Sequence, residues 1–326
     1  MKIRLAVSAL LVATGFFPTL SALAAETYPS RPIRVLVPNG AGSSVDTLTR
    51  IVTNSLGGVI GQQMVIDNRA GAGGIIGMEI GKSASPDGYT LVAATTAAST
   101  IARLLVKNPT YHPVNDYESV VEFAETLNVL VVANSLPVKT VPEFIAYAKS
   151  GTQPFNMASA GVGSQSHLSG AYFLQQAGIE ALHVPYKGGG ASSASVVAGE
   201  SQWSLVPSAA AMTHVAAGRM RAIGHSLNRE TSLLPHSVRP ISETIPGFNY
   251  TGWMGFFAPK GTPKAVIEKI RAAVVKTMEI PDVKKAMAFQ GTEITIKGPA
   301  EFRKEVEKSM IENAALIKTV GLKATN

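Results

Sequence analysis

The residues with the most chemical potential in this sequence are glycines and hydroxyls rather than acids, histidines or thiols. Two loops stand out: Asn39-Gly40-Ala41-Gly42-Ser43-Ser44 and Ser159-Ala160-Gly161-Val162-Gly163-Ser164-Gln165-Ser166-His167. Each follows a strand-like run and opens a helix-like one. The first N–H groups of a helix have no intrahelical acceptor, and the aligned peptide dipoles put a partial positive charge there. Glycines let the backbone come close to a bound group, and serines add donors. Such a loop can hold an anion without any Lys or Arg. For the first loop a second reading stays open, a capped helix after a tight turn, because Ser43-Ser44-Val45-Asp46 fits the S-x-x-D capping pattern with Asp46 tending the helix start. In the second loop three hydroxyls and two glycines favour an anion cradle over a plain cap.

Other chemistries find little support. The second loop looks like a truncated dinucleotide fingerprint, but Ser166 stands at the third glycine and no acidic residue follows at the required distance. Gly71-Ala72-Gly73-Gly74 and Lys187-Gly188-Gly189-Gly190 are two further flexible loops, and neither is a P-loop, since Lys187 precedes its glycines. Lys187 reads either as an anion attractor or as a solvated surface lysine. Tyr186 and Trp253 each read as a cleft wall or as a core aromatic. A G-x-S-x-G nucleophile elbow is missing, because Gly163 stands where the serine should be. The histidines His112, His167, His183, His214, His225 and His236 lack metal-ligand spacing, and the absence of cysteine excludes thiol nucleophiles and Cys-based metal sites. No catalytic residue, metal or cofactor is expected.

The elements that must position the two loops alternate along the chain. Ile33–Val37, Met64–Ile66, Tyr89–Ala93, Val129–Ala133, Phe155–Ala158, His183–Val184, Trp203–Val206 and Arg221–Gly224 read as strands. A helix is expected from Ser44, with Val45, Leu48, Ile51 and Val52 on one face. The alternation predicts an α/β fold of parallel sheets covered by helices. The C-terminal third reads as mostly helical, with apolar stripes after Pro263 and Pro299. Leu130–Ala133 and Gly252–Pro259 look like segments where the chain crosses between two domains hinged around a cleft.

The N-terminus fits a secretory leader: Met1-Lys2-Ile3-Arg4 is basic, Leu5–Phe17 apolar, and Leu20–Ala25 ends in small residues. The apolar run is shorter than the roughly 20 residues needed to span a bilayer. Cleavage is expected after Ala24 or Ala25, which places the mature chain outside the cytoplasm. Hydrophobic residues make up 46% and charged residues 16% of the chain, so there is ample core material. The formal charge is +7, of which Lys2 and Arg4 supply two units, leaving +5 on the mature chain. The basic residues form no Lys/Arg block, which argues against nucleic acid and favours anionic small molecules.

Several motifs together resemble one family. Tyr28-Pro29-Ser30-Arg31-Pro32-Ile33, Asn68-Arg69-Ala70-Gly71-Ala72-Gly73-Gly74, Pro86-Asp87-Gly88-Tyr89-Thr90-Leu91, His183-Val184-Pro185-Tyr186-Lys187-Gly188-Gly189 and Ala258-Pro259-Lys260-Gly261-Thr262-Pro263 occur in order along the chain. They are similar to the Bug family, the TctC-like receptors of tripartite tricarboxylate transporters. The resemblance implies a two-domain periplasmic-binding-protein-like fold of type II character. Each lobe would hold a mostly parallel sheet flanked by helices, with a ligand cleft between the lobes. The expected divisions are a signal peptide at 1–25, a discontinuous first domain at 26–129 plus 251–326, and a second at 130–250. The implied function is extracytoplasmic capture of a small organic carboxylate (a di- or tricarboxylate or an aromatic acid) for a membrane permease with one large and one small subunit. The implied ligand residues are Asn39, Gly40, Ala41, Gly42, Ser43, Ser44 and Asp46 from the first loop. From the second come Ser159, Ala160, Gly161, Gly163, Ser164, Gln165, Ser166 and His167. Thr95, Thr96, Pro207 and Ser208 would complete the walls, beside Tyr186 and Lys187. A periplasmic monomer is expected, since a receptor must expose both lobes.

Two departures from the family pattern bear on the ligand. Asn39 stands where an aromatic is common, and Gln202-Trp203-Ser204 replaces a common Gln-Val-Asp. The lost Asp argues against an ammonium-bearing amino acid. Two other outputs remain open on sequence: a ligand sensor docking on a two-component kinase, and an exported carboxylic-ester hydrolase.

Overall fold

The computed structural model describes residues 28–151 and 155–324, so the leader expected at 1–25 lies outside the described residues. Strands β1 (Ile33–Val37), β2 (Met64–Asn68) and β3 (Thr90–Thr95) alternate with helices α1 (Ser44–Ile60) and α2 (Ile75–Lys82). A π-helical turn at Ala97–Ile101 runs into the short α3 (Ala102–Leu104). The long β4 (Tyr117–Val132) leads to α4 (Val141–Lys149), β5 (Asn156–Ser159), α5 (Gln165–Ala177), β6 (Leu182–Pro185) and α6 (Gly189–Ala198). Then follow β7 (Trp203–Pro207), α7 (Ser208–Ala216), β8 (Arg221–His225) and β9 (Arg239–Pro240). The chain returns through β10 (Thr251–Pro259) and closes with α8 (Lys264–Met278), α9 (Pro281–Phe289), β11 (Thr292–Lys297) and α10 (Pro299–Thr319).

Local sequence explains the elements that hold the site. Isoleucine, valine and leucine dominate β1, four of whose five residues are buried, as a parallel strand covered on both faces requires. Helix α1 starts where the Ser43 hydroxyl accepts from the Asp46 N–H at 3.3 Å, and stops at Gly61, whose φ of 86° suits the left-handed cap. Between them Val45, Leu48, Val52, Leu56 and Ile60 form one buried stripe, packed in a common core with Ile270 and Val274 of α8. Helix α5 repeats the scheme: the Ser164 hydroxyl caps its start and Gly178 ends it with φ 60°.

The strands form one curled sheet, in the order β2-β1-β3-β10-β4-β7-β5-β6, with β11 and β8 also paired to β4. Parallel pairs lie towards the two ends, β1 with β2 and β3, and β5 with β6 and β7. Antiparallel β10 and β4 join them at the centre. Two lobes result. One core holds the β1–β3 side with α1 and α8, and another, around Phe144, Phe173 and Trp203, holds the β5–β7 side. Strand β4 serves both: residues 117–127 pair with β10, and residues 128–132 pair with β7. Helix α10 also serves both, with Phe302 and Val306 in a core of the first lobe and Ile317 in the second.

Most expected strands appear where the pattern places them, with three differences. Strand β4 begins at Tyr117, well before Val129, because Glu118, Glu122 and Glu125 interrupt its apolar run. Gly252–Pro259, read as a crossing between domains without a strand assignment, is strand β10, which runs between β3 and β4. Its glycines look like loop residues but answer to crowding. A Cβ on Gly255 would come within 2.5 Å of the Phe302 ring and 2.6 Å of the Val121 carbonyl. Finally, the C-terminal third contains β11 among its helices. Gly255→Ala is therefore expected to destabilise the fold by about 2 kcal/mol, the usual cost of overpacking a rigid core. A denaturant midpoint equal to that of the parent would show that the sheet centre yields more than this packing allows.

Candidate functional site

The first turns of three helices converge on one small cavity between the lobes. Ser43, Ser44 and Val45 bring the start of α1, Ser164, Gln165 and Ser166 the start of α5, and Gly189 the start of α6. The cavity holds about 50 Å³, room for one small head group. Asn39, Thr95, Thr126 and Pro207 add to its walls, and Leu48 and Ala97 supply apolar surface. No Lys, Arg, Asp or Glu lines it. Its positive character comes from helix N-termini and hydroxyl donors. The two lobes nearly touch beside it, since a Cβ added to Gly190 would sit 3.5 Å from the Gly42 carbonyl.

A larger chamber of about 470 Å³ adjoins it, sharing Asn39, Ala97, Ala160 and Ser164 as walls. Gly40, Gly161, Val162, Tyr186, Lys187 and the 70–74 loop enclose it. Lys187 is exposed at its edge. The Tyr186 hydroxyl is shared with Ser201 Oγ at 3.2 Å, so the ring stands as a fixed wall. Asn39 faces both spaces, and its Oδ1 is buried without a protein hydrogen-bond partner.

The remaining residues expected at the site stand behind this surface and hold it. Asp46 is 3% exposed and faces away from the cavity. Burial opposes its ionisation, but Arg50, the Gly42 N–H and the Asn68 amide together hold its carboxyl below the usual range. Its Oδ2 accepts from Gly42 N at 2.8 Å and Arg50 Nε at 3.0 Å, and its Oδ1 accepts from Asn68 Nδ2 at 3.0 Å. A negative charge beside the cavity is thus fully engaged in shaping the loop. Ala41 and Gly42 line neither space. Thr96 turns to the opposite side, where its hydroxyl accepts from Trp253 N at 3.0 Å. Ser208 donates to the Gly291 carbonyl at 2.8 Å, under the wall rather than in it. Ser159 is fully buried, its Oγ 2.6 Å from His183 Nε2 and 3.2 Å from Gly161 N. Gly163 donates to His167 Nδ1 at 3.1 Å, which ties the loop to its own helix.

The sequence reading missed the α6 start as a third helix N-terminus at the cavity, together with Thr126 and the 70–74 wall. The signal was present, since Gly188-Gly189-Gly190 precedes a run of small residues without a side-chain cap.

Comparison with known proteins agrees with the two-lobed fold. A family model described as "Tripartite tricarboxylate transporter family receptor" (TctC) matches residues 48–322. A Pseudomonas sp. (strain P51) relative, named as a UPF0065 protein in the tcbD-tcbE intergenic region, is 35% identical over 290 residues, covering 88% of this chain and 85% of that protein. Among solved structures, periplasmic binding protein BugD has a TM-score of 0.84 at 27% identity, over 91% of this chain and 99% of its own. Rpa4515 of R. palustris with adipate has a TM-score of 0.87 at 27% identity, covering 91% and 99%. MatC from Rhodopseudomonas palustris with bound malate has a TM-score of 0.82 at 27% identity, covering 89% and 100%.

The histidines near and behind the site are buried bases. His167 and His183 stack with ring centroids 3.9 Å apart and planes within 4°. Burial, with the neighbouring His183, pushes His167 down to about 4, and burial likewise lowers His183. His225, behind the shared strand, is also pushed down to about 4, by burial first. At neutral pH these rings are uncharged, and His167 Nδ1 is an acceptor rather than an anion-binding donor. The unfolded chain protonates its histidines near pH 6.5, so it takes up protons that the folded chain refuses. Stability is accordingly expected to be level above pH 7 and to fall between about pH 6.5 and 4, by of order 2 kcal/mol for each fully buried ring. Melting temperatures read across that range check this, and His167→Gln, which keeps an acceptor for Gly163, should flatten the slope. An equally steep slope in that variant would remove His167 from the account.

Proposed function

Because the chain belongs to the tripartite tricarboxylate transporter family of receptors, and is thereby a periplasmic solute-binding protein of the Bug/TctC type, we propose that it captures a small dicarboxylate. One carboxylate of the ligand enters the inner cavity and the body of the ligand fills the outer chamber. The observation that carries this reading is the convergence of three helix starts on a cavity without a fixed charge. A carboxylate brings the missing negative charge to donors already oriented for it, so little reorganisation is needed. Pro38, Ala70, Ala72 and Val162 give the outer chamber an apolar lining that suits methylenes or a ring. Lys187 at its edge attracts a second carboxylate. Adipate and malate, the ligands of the two R. palustris structures, share this pair of carboxylates. Asn39, whose side chain faces both spaces, hydrogen-bonds the ligand where the chambers meet.

Capture proceeds by closure of the two lobes, divided near residues 129–130 and 250–251, about the strands that join them. The ligand touches the α1 loop of one lobe and the α5 and α6 starts of the other, so it favours the closed form by the difference in contacts. The closed, monomeric receptor then presents its outer face to a permease of one large and one small subunit. The hydrolase reading loses ground on the Ser159–His183 pair: its hydroxyl is fully buried and lines neither chamber. The protein therefore acts as a carrier rather than an enzyme.

A thermal-shift panel of organic acids on the mature protein tests the ligand class. A ligand at 100-fold above its dissociation constant is expected to add about 2.7 kcal/mol of stability. Dicarboxylates should give that shift and their diamides none. Ser164→Leu, which fills the inner cavity, should weaken binding by roughly 100-fold or more while costing about 1 kcal/mol of stability through the lost cap. Lys187→Met should weaken dicarboxylates about tenfold and leave monocarboxylates unchanged. Full affinity in the Ser164 variant, or a panel without any shift and no acid released on denaturation, would refute the assignment.

A further inference from the structure

The inner cavity and the outer chamber meet at a neck whose walls they share: Asn39, Ala97, Ala160 and Ser164. Three of these side chains have little to offer a ligand. Ala97 and Ala160 carry only methyl groups. The Ser164 hydroxyl is taken, accepting from His167 N at 3.2 Å and shared with Ser166 Oγ at 3.1 Å. The main chain of Ala160 is engaged as well, its N–H with Ser166 Oγ at 2.9 Å and its carbonyl with Gly188 N at 3.2 Å. Asn39 differs. Its side chain makes no hydrogen bond to another group among the described residues, and with Oδ1 covered the Nδ2 amide is the end open to the two spaces. Its main chain is fixed, since the carbonyl accepts from Asn68 Nδ2 at 3.0 Å and Asn68 is held in turn by Asp46 Oδ1 at 3.0 Å. A rigidly placed donor therefore stands at the neck without an acceptor.

The inner cavity, at about 50 Å³, has room for a carboxylate and little more. With a carboxylate seated there, the carbon bonded to it lies in the neck, opposite the Asn39 amide. We propose that Asn39 selects acids oxygenated at that carbon, 2-hydroxy and 2-oxo dicarboxylates, over acids that carry a methylene there. Nδ2 donates to the hydroxyl or keto oxygen of the ligand. A methylene in the same place covers the amide and gives it no acceptor, so an unsubstituted acid binds at the cost of a desolvated donor. Hydroxyl and keto oxygens both accept, so this donor admits either. The inference rests on the carboxylate reading of the inner cavity, so its test compares acids that share both carboxylates and differ at one carbon.

The experiment is calorimetric titration of the mature protein with succinate, glutarate and adipate, each beside its 2-hydroxy and 2-oxo derivative. At the chain length that binds best, the oxygenated acids are expected to bind about tenfold tighter or more than the unsubstituted one. Asn39→Leu, similar in size and without a donor, should bring that ratio to about one. Asn39→Asp puts an acceptor in place of the donor. It should cost the 2-oxo acid at least about tenfold more than the 2-hydroxy acid of the same length, because a hydroxyl can donate to a carboxylate and a keto oxygen cannot. The Asp variant keeps the native size and so remains decisive if the Leu variant fails to fold. Unsubstituted acids bound as tightly as their derivatives, a ratio that survives in Asn39→Leu, or equal losses for the two derivatives in Asn39→Asp would each overturn the inference and leave the carboxylate reading standing. Binding by none of the acids would overturn both.

Discussion

The structure depends on one strand being shared. Strand β4 gives its first part to one lobe and its last five residues to the other, and the return strand β10 runs antiparallel beside it. At the change of partners sits Asn128, fully buried. Its N–H donates to Ser226 Oγ at 2.9 Å and its amide to Ser169 Oγ at 2.7 Å. Ser226 in turn donates to the Tyr250 carbonyl, and the Tyr250 N–H returns to the Ser226 carbonyl at 2.9 Å. A few polar groups thus stitch the outgoing strand to the incoming one. In a low-dielectric interior such a network has little tolerance for a displaced member, which fixes how the two strands meet at the joint. The positions of the α1 loop and the α5 start relative to each other follow from that joint.

The inner cavity shows how a positive potential can be built without cations. Fixed N–H dipoles favour negative charge while exposing no ammonium or guanidinium in the cavity. Asp46 lies close behind, yet Arg50, Asn68 and the Gly42 N–H absorb its charge. A carboxylate that would otherwise oppose that potential becomes the group that fixes the loop's shape.

Much of this was legible in the sequence, and the exceptions share a cause. Strand–glycine–serine–helix runs announce themselves locally, so the loops at 39–46 and 159–167 could be read directly. Strand β10 could not, because Gly252 and Gly255 are glycines for the sake of residues distant in sequence: Cβ atoms there would collide with Gln165, Phe302 and Val121. The start of β4 was hidden by glutamates whose companions, Lys297 and Arg229, arrive much later in the chain. Hydroxyl-rich loops also mix two kinds of residue that sequence cannot separate. Ser164 and Ser166 face the inner cavity, while Ser159 and His167 face inward to each other's neighbourhood and support the loop. Facing direction follows from the packed backbone, and pattern alone does not carry it.

The division of the cleft into a small hydroxyl-lined end and a larger loop-lined end has an evolutionary meaning. Main-chain N–H groups at the inner end outlast a substitution, while its serine and threonine hydroxyls are open to exchange. The outer end is built from loop residues such as Val162, Tyr186 and Lys187, and single exchanges there alter its size and charge without disturbing the anchor. Copies of such a scaffold can diverge at the outer end while the helix starts at the inner end stay in place. The architecture is a means of producing many receptors from one.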